Sequence, residues 1–548
     1  MKLFKQLLPA LITLIVVAII SYVQLIPYNL RNPQFWVLIL IATVIYFIVN
    51  VFVKSTKDVI IEGPRPVGKR FTATKNPMLA ELFKLPKRFA ILLGIFGLIF
   101  LLGLLSGLPI WQAKSFANQI GTIQSGDFSK DLKLSDPSNI ITVDRDMSEK
   151  LGDRKIGEMK DLVSQFEVSK DFVQIAVQDR PVRVSPLEYA GFWRWLTNQS
   201  TGVPYYVEID SITGDSKLVK MDQPIKYSKS EYFNRDVARH LWFNYPTAMV
   251  SDVSFELDEE GKPYYIATEV SPKIGFFNGL DVVGIFVIDA VTGEIQRFAI
   301  DEVPGWVDRV VPAELVLRQI DQHGLYQGGF WNSLIGKRGV TKHTNGYQYF
   351  VKDNDLYLYT GITSVNADES NVGFVLVNSR TKETILYDIG AATEVSAQES
   401  AQGSVQEKGY VATFPLLLNI EGKPTYFLSL KDNGGLIKLY AFVDAENYQR
   451  VVIGETVQVA FQAYTGKESS SQVTTDGQTP FSGTVEALNQ IVLKGETHMA
   501  FKLSGKEEIY FAPISVNSDL AFLKVGDTVK GETANGLVNS IVIEKAAP

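Results

Sequence analysis

Ile209-Asp210-Ser211-Ile212-Thr213-Gly214-Asp215 recurs as Ile288-Asp289-Ala290-Val291-Thr292-Gly293-Glu294, with Asp289 79 residues after Asp210. Looser copies are Val377-Asn378-Ser379-Arg380-Thr381-Lys382-Glu383 and a stretch beginning Val443-Asp444-Ala445-Glu446-Asn447. The pattern has a physical cause. An aliphatic strand runs into Asp or Asn, whose side chain caps a turn through its own backbone, and Gly accepts the left-handed conformation from which the next strand returns. The segments entering the first three turns, Pro204-Tyr205-Tyr206-Val207, Gly284-Ile285-Phe286-Val287 and Gly373-Phe374-Val375-Leu376, are rich in strand-forming residues. Each copy therefore reads as a hairpin. A second turn, Glu260-Gly261-Lys262-Pro263-Tyr264-Tyr265, is echoed by Glu421-Gly422-Lys423-Pro424-Thr425-Tyr426.

Helices are expected between these hairpins. Ser228 and Glu231 have capping-box spacing for a helix through about Asn244, with Phe233, Val237, Leu241 and Trp242 on one side. Pro312 opens another through Gln322, with Leu315, Val316, Gln319 and Ile320 spaced to bury one face. The unit is a helix followed by antiparallel strands. That order, closed by a D-x-x-T-G-D/E turn, resembles the PepSY family of extracytoplasmic α+β modules, chiefly over residues 228–300 and more loosely over 312–390. The resemblance implies a non-catalytic binding, inhibitory or sensing module at the cell envelope and transfers no catalytic residue.

Three apolar runs without charge, Leu7 to Tyr28, Pro33 to Val53 and Phe89 to Trp111, each approach the ~20 residues a helix needs to cross a bilayer. A cleaved leader is the rival reading of the first, but no small-x-small exit precedes Gln24 and a second run follows within a few residues. Positive charge sets the orientation. Lys2 and Lys5 precede the first run, Arg31 alone lies in the 29–32 turn, and nine Lys and Arg crowd the 54–88 loop. This asymmetry puts the N-terminus and the basic loop in the cytoplasm and everything after Trp111 outside the plasma membrane. Gly103 and Gly107 form a GxxxG spacing in the third run, suited to packing against the other spans or to self-association with a second copy. The runs hold no ionisable group of the kind that marks ion or proton paths, which disfavours a pump or transporter.

Of 53 Lys and Arg and 60 Asp and Glu, the first 111 residues hold 12 and 3, leaving 41 bases against 57 acids beyond. That acidic field repels phosphate backbones, so no nucleic-acid partner is expected there. Zero Cys removes disulfide scaffolds, thiolate metal sites and cysteine nucleophiles. Residues 112–391 form the repeated α+β region, 392–465 a further α+β or β unit whose polar start at 392–408 reads as an exposed helix or spacer, and 466–480 a linker. Five short strand segments in 481–548 are most economically a small β-barrel, possibly OB-like.

Catalytic chemistry has little to work with. His240, His323, His343 and His498 form no close ligand pair, and His240 and His323 read as helix-end or packing residues. The acids Asp252, Glu256, Asp258, Glu259 and Glu260 lack EF-hand order and read first as a solvated turn. No nucleophile elbow, P-loop or dinucleotide fingerprint stands in a suitable context. No catalytic residue, metal ligand or cofactor is therefore assigned. Trp193, Arg194 and Trp195 are the candidate binding residues, since exposed Trp and Arg anchor interfaces. A buried helix face beside Tyr189 and Leu196 is the alternative. The expected fold is an α-helical membrane anchor with three spans, an α+β ectodomain of repeated hairpins and a small C-terminal barrel. The expected function is non-catalytic: binding, organising or regulating other envelope proteins. The alternatives are a cell-wall polymer hydrolase and an accessory subunit of a secretion or DNA-transfer complex.

Overall fold

A computed structural model describes residues 2–61, 87–131, 137, 140–177, 180–352, 355–365, 367–466, 479–493, 496–506, 508–534 and 537–544. Most of the 54–88 basic loop and of the 466–480 linker lies outside the described residues. The chain divides into two compact units, 1–466 and 467–548.

Helices α1 (Lys2–Gln24) and α2 (Pro33–Ile61) each carry a stretch long and apolar enough to cross a membrane, Leu7–Gln24 and Pro33–Val53. The third apolar run does not continue straight to Trp111. Helix α3 (Lys87–Ser106) ends before Pro109, which opens α4 (Pro109–Ala117) at an angle of 47° between the two axes. Proline cannot extend the preceding ladder of hydrogen bonds but suits the first turn of a new helix. The described residues thus hold two candidate spans, or three if this bent pair crosses as one.

Beyond α4, strand β1 (Ile123–Ser125) leads into four successive helix-plus-meander units. Unit one contains α5 (Arg145–Gly157), β2 (Phe166–Val168), β3 (Val173–Val177), β4 (Arg180–Tyr189), the short α6 (Phe192–Asn198), β5 (Val203–Asp210) and β6 (Ser216–Ile225). Unit two is α7 (Val237–Asn244) followed by β7 (Val250–Leu257), β8 (Pro263–Ile274), β9 (Asn278–Asp289) and β10 (Ile295–Ala299), paired in chain order. Unit three is α8 (Ala313–Tyr326) with β11 (Thr341–His343), β12 (Gln348–Lys352), β13 (Asp355–Ser364), β14 (Ala367–Asn378), β15 (Thr384–Tyr387) and β16 (Ala391–Ala392). Unit four is α9 (Glu394–Gly403) with β17 (Val411–Ala412), β18 (Leu416–Ile420), β19 (Lys423–Lys431), β20 (Ile437–Asp444) and β21 (Val451–Gly454). Helix α10 (Val457–Thr465) then covers the last sheet, burying Ala460 and Tyr464 beside Phe442.

The repeated turns do what their residues dictate. Asp210 Oδ1 accepts the N–H groups of Ile212 and Thr213 at 2.9 Å each, and Asp289 Oδ1 those of Val291 and Thr292 at 2.8 and 2.9 Å. Asn378 does the same for Arg380 and Thr381, and Asp444 for Glu446 and Asn447. Gly214 and Gly293 hold φ of 76° and 77°, the conformation glycine permits. Lys382 occupies the equivalent place in unit three at φ 65°, and its ammonium is held 2.7 Å from Asp281. In the first three turns the strands re-pair seven residues apart, as Ile209 with Ser216 and Ile288 with Ile295. The fourth re-pairs Val443 with Val451, one residue longer.

Each turn also closes its own unit. The residue after the capping Asp or Asn donates its N–H to the strand before, Ser211 to Pro181, Ala290 to Pro263, Ser379 to Leu356 and Ala445 to Pro424. Its carbonyl accepts from the segment leading into that unit's helix: Thr142 and Val143, Lys226 and Tyr227, Val310 and Val311, and Ala392.

Successive sheets are buried on both faces, which explains their continuous apolar runs. Phe286 and Ile288 of β9 face unit one with Val184 and Val207, while Ile285 and Val287 face unit three with Leu315 and Leu358. On β14, Val375 and Val377 share that second core, whereas Phe374 and Leu376 face unit four with Leu428 and Val443. Units therefore stack like a repeat array in which each buries the next.

Two sequence expectations are corrected. Ser228 and Glu231 do not cap a helix; α7 starts at Val237, with Asp236 accepting the Arg239 N–H at 2.8 Å, because the buried Glu231 is engaged by Tyr189 and Trp195 and the buried Ser228 bonds Ser230 within its own turn. Residues 392–408 are neither spacer nor exposed helix: α9 buries Glu394, Ala397 and Ala401 as part of unit four. The Pro312 helix forms as read and continues to Tyr326.

In residues 467–548, β22 (Thr479–Leu493), β23 (Glu496–Leu503), β24 (Ile509–Pro513), β25 (Thr528–Ala534) and β26 (Leu537–Glu544) pair as a ring in the order β22-β23-β24-β26-β25, with β25 returning to β22. The β24–β26 seam is parallel and consists of the single pair Phe511–Leu537. Phe481, Phe501, Leu503, Tyr510 and Val529 fill the interior.

Candidate functional site

Unit two docks on the ends of the apolar helices. The loop between β8 and β9 places Phe277 against Trp36 and Phe100, with ring centroids 6.3 and 5.4 Å apart. A Cβ on Gly103 would sit 2.6 Å from the Phe277 ring, and one on Gly107 would strike the Asn278 side chain. The GxxxG face therefore receives the tip of a hairpin from the same chain. Ser106 Oγ accepts the Phe276 N–H at 3.0 Å, and Asn278 donates to the Gly107 carbonyl at 3.1 Å. Gly275, at φ 60°, has space for no side chain: its Cβ would lie 2.5 Å from the Gly107 nitrogen.

The α1–α2 turn makes the second contact. Tyr28 donates its N–H to the Pro246 carbonyl at 2.7 Å, Trp242 donates to Ile26 at 2.9 Å and Arg31 to Pro272 at 3.1 Å. Arg239 lies over the Tyr22 ring at 4.7 Å, and Tyr28 meets Trp242 edge-on at 5.4 Å. Tyr22, Tyr28, Trp36, Trp242 and Phe243 so collect where helix ends meet unit two. Between the two parts lies a half-open cavity of about 790 Å³. Leu25, Pro27 and Pro33 wall it from the turn; Leu241, Trp242 and Met249 wall it from unit two, with Lys229, Ser251 and Asp252 among its polar residues. Leu25 is held at φ 48°, an uncommon conformation for a branched side chain.

The three candidate binding residues separate. Trp195 is buried and donates to Glu231 Oε2 at 2.6 Å, while Tyr189 OH donates to Glu231 Oε1 at 3.0 Å and Arg235 lies 3.3 Å from the same carboxylate. Burial pushes the Glu231 carboxyl upward, opposed by the Trp195 hydrogen bond and by Arg235. Trp193 is 69% exposed and Arg194 is exposed on the same helix. Phe233, 59% exposed at φ 54°, packs on Trp195 at 5.7 Å, and Phe192 lies 5.4 Å from both Trp193 and Trp195. Phe192, Trp193 and Phe233 thus form one exposed aromatic patch on a buried Trp195 base, with the exposed Leu196 on the same helix. Phe233 belonged to the expected helix in the sequence reading; its share in the patch comes from a turn across chain-distant segments.

The acidic cluster does not converge on a cleft. Asp258 caps its own turn by accepting the Glu260 and Lys262 N–H groups. Glu256 is fully buried and accepts from the Asp308 and Arg309 amides at 2.9 and 3.2 Å and from Ser254. Asp308 accepts the Ala176 N–H at 2.6 Å. Burial raises both carboxyls, and the neighbouring Glu256 raises Asp308 further. The space beside Asp308 is about 10 Å³, room for about one water rather than a substrate. Arg183, wholly buried close by, is pushed down to about 10 by desolvation. His240 bonds the Gly293 carbonyl at 2.8 Å, His323 the Ala117 carbonyl at 2.7 Å, and His343 Asp321 at 2.7 Å. Among the described residues no three His, Asp or Glu are grouped to hold a metal ion.

No family model matches the chain and no curated protein matches it. Among solved structures, a B. megaterium levansucrase mutant aligns with 10% identity and a TM-score of 0.16, covering 75% of this chain and 97% of that one. A likeness at that level carries no argument.

Proposed function

We propose that the chain is a non-catalytic, multi-pass envelope protein that binds and organises other surface proteins, with the patch of Phe192, Trp193 and Phe233 as the contact and Arg194 and Leu196 at its side. The exposed aromatic patch on a fixed support carries this reading. Trp and Arg dominate interface energetics, and contiguous exposed apolar surface marks interaction sites. Support comes from the array itself, which unit two holds against the helix ends through the contacts of Tyr28, Arg31, Trp242 and Asn278. In this proposal α3 is the third span and α4 begins the array, where Phe116 meets Tyr326 and His323 bonds the Ala117 carbonyl. Because the α1–α2 turn, the end of α3 and unit two meet, the array lies on the side that the turn faces, and the bias of Lys and Arg toward 54–88 puts that side outside. The units act as PepSY-like modules and the terminal ring as an OB-like barrel.

The test is a photocrosslinking amino acid placed at Trp193 in living cells. Discrete protein adducts at 193, lost when Phe233→Ala is added, are expected; adducts at an exposed control position such as Val459 with none at 193 would sink the assignment.

A further inference from the structure

We propose that the cavity between the α1–α2 turn and unit two holds the acyl chain of a membrane lipid whose head carries no net charge, a role separate from any protein contact at Trp193. Its volume of about 790 Å³ falls within the ~300–1,000 Å³ of small-molecule sites. Leu25, Leu241, Trp242, Val270, Phe277 and Leu280 give it a wall that water solvates poorly.

Its level in the molecule selects the ligand. The wall is built from the very ends of the two apolar spans, Gln24–Leu25 and Pro33–Gln34. Tyr22, Tyr28, Trp36, Trp242 and Phe243 gather there, and Tyr and Trp concentrate where acyl chains give way to headgroups. In this proposal a chain from the adjoining leaflet enters the cavity at this level.

The polar residues select the head. Lys229 already pairs with Asp171 at 2.8 Å, and Asp252 lies 3.8 Å from Arg309. Among the described residues that line the cavity both charges are matched, so the wall itself holds no unpaired cation for a phosphate that lacks its own counter-charge. Val250, partly exposed, and the exposed Ser251 mark the rim at which such a head would rest.

The full-length protein is placed in nanodiscs of phosphatidylcholine containing a trace of the same lipid with a diazirine on its acyl chain; phosphatidylglycerol bearing the same label is used in parallel. After illumination, adducts are expected on the 241–253 peptide as well as on the lipid-facing side of α1 near Leu14. Ala248→Trp, which fills the cavity, should lower the 241–253 adducts about tenfold and leave those at Leu14 unchanged. Excess unlabelled phosphatidylcholine should compete in the unaltered protein, which keeps the test valid if the variant misfolds. Labelling confined to α1, insensitivity to both Ala248→Trp and competition, or equal labelling by the anionic lipid would each overturn the proposal. Absence of adducts at Leu14 too would overturn it by removing the spans on which it rests.

Discussion

Replacing Asp289 with alanine should loosen the second repeated turn by an amount the structure sets. Its Oδ1 accepts the Val291 and Thr292 amides at 2.8 and 2.9 Å, and its Oδ2 lies 2.6 Å from the Lys262 ammonium. A hydrogen bond to a charged group contributes roughly 1.5–3 kcal/mol net, so each amide loses about 2 kcal/mol of protection. At about 1.4 kcal/mol per decade, that is roughly 30-fold faster exchange at each. Asp289→Asn keeps the acceptor and loses the ion pair with a half-exposed lysine, which costs under about 1 kcal/mol. Its amides should exchange less than about fivefold faster. Asn378 performs the same capping in unit three without a charge. Acid supplies a second arm. Burial pushes Asp289 up, but Lys262 and the two amides outweigh it and hold its carboxyl below the usual range. Its stabilisation is therefore complete above the ordinary carboxylate pKa and fades as pH falls through the lower folded value. The gap between Asp and Ala should narrow there, while the gap between Asn and Ala persists. Hydrogen exchange of the full-length protein in detergent, read on peptides spanning 288–296, measures both. Equal behaviour of the Asn and Ala variants would refute the capping argument.

Three further outcomes follow from the packing. Gly103→Leu should displace the 275–278 hairpin tip at a cost of about 1–3 kcal/mol, seen as faster proteolysis at 275–279; Gly97→Leu, whose Cβ meets nothing within 4 Å, should have no effect, and identical digestion of the two would oppose this docking. Asp308→Asn should raise the melting temperature at pH 7–8 and flatten its pH dependence. Asp308 titrates above its ordinary ~4, so the native protein binds the extra proton and loses stability as pH rises from that value through the raised one; a lower melting temperature at pH 8 contradicts this. Ala401→Leu, at a fully buried position in α9, should destabilise unit four by about 1–3 kcal/mol, whereas an exposed spacer at 392–408 would tolerate it in a thermal melt.

Local chemistry made the hairpins readable: an Asp that accepts amides two and three residues on, followed by Gly at positive φ, needs no distant partner. The same holds for Pro312 and for the five terminal strands, whose alternation is intrinsic to the segments. What escaped the sequence depends on contacts between distant residues. Ser228 and Glu231 have cap spacing, but Glu231 serves Trp195 and Tyr189 instead. Gly103 and Gly107 carry a helix-packing signature, yet the surface they receive comes from 170 or more residues along the chain. Ala397 and Ala401 give α9 a narrow small-residue face that reads as polar until the unit-four sheet is set against it. The 24–34 stretch gave no hint of a cavity wall because most of that wall is supplied by 238–280.

The carbonyl of the residue after each capping Asp or Asn joins the end of a unit to the segment that begins it. A nascent chain can fasten that clasp only once the unit's last hairpin has left the ribosome, so the modules should lock one after another during synthesis. Pulled from its ends, the ectodomain should likewise extend in discrete steps, one clasp at a time, and dissipate load by yielding piecemeal.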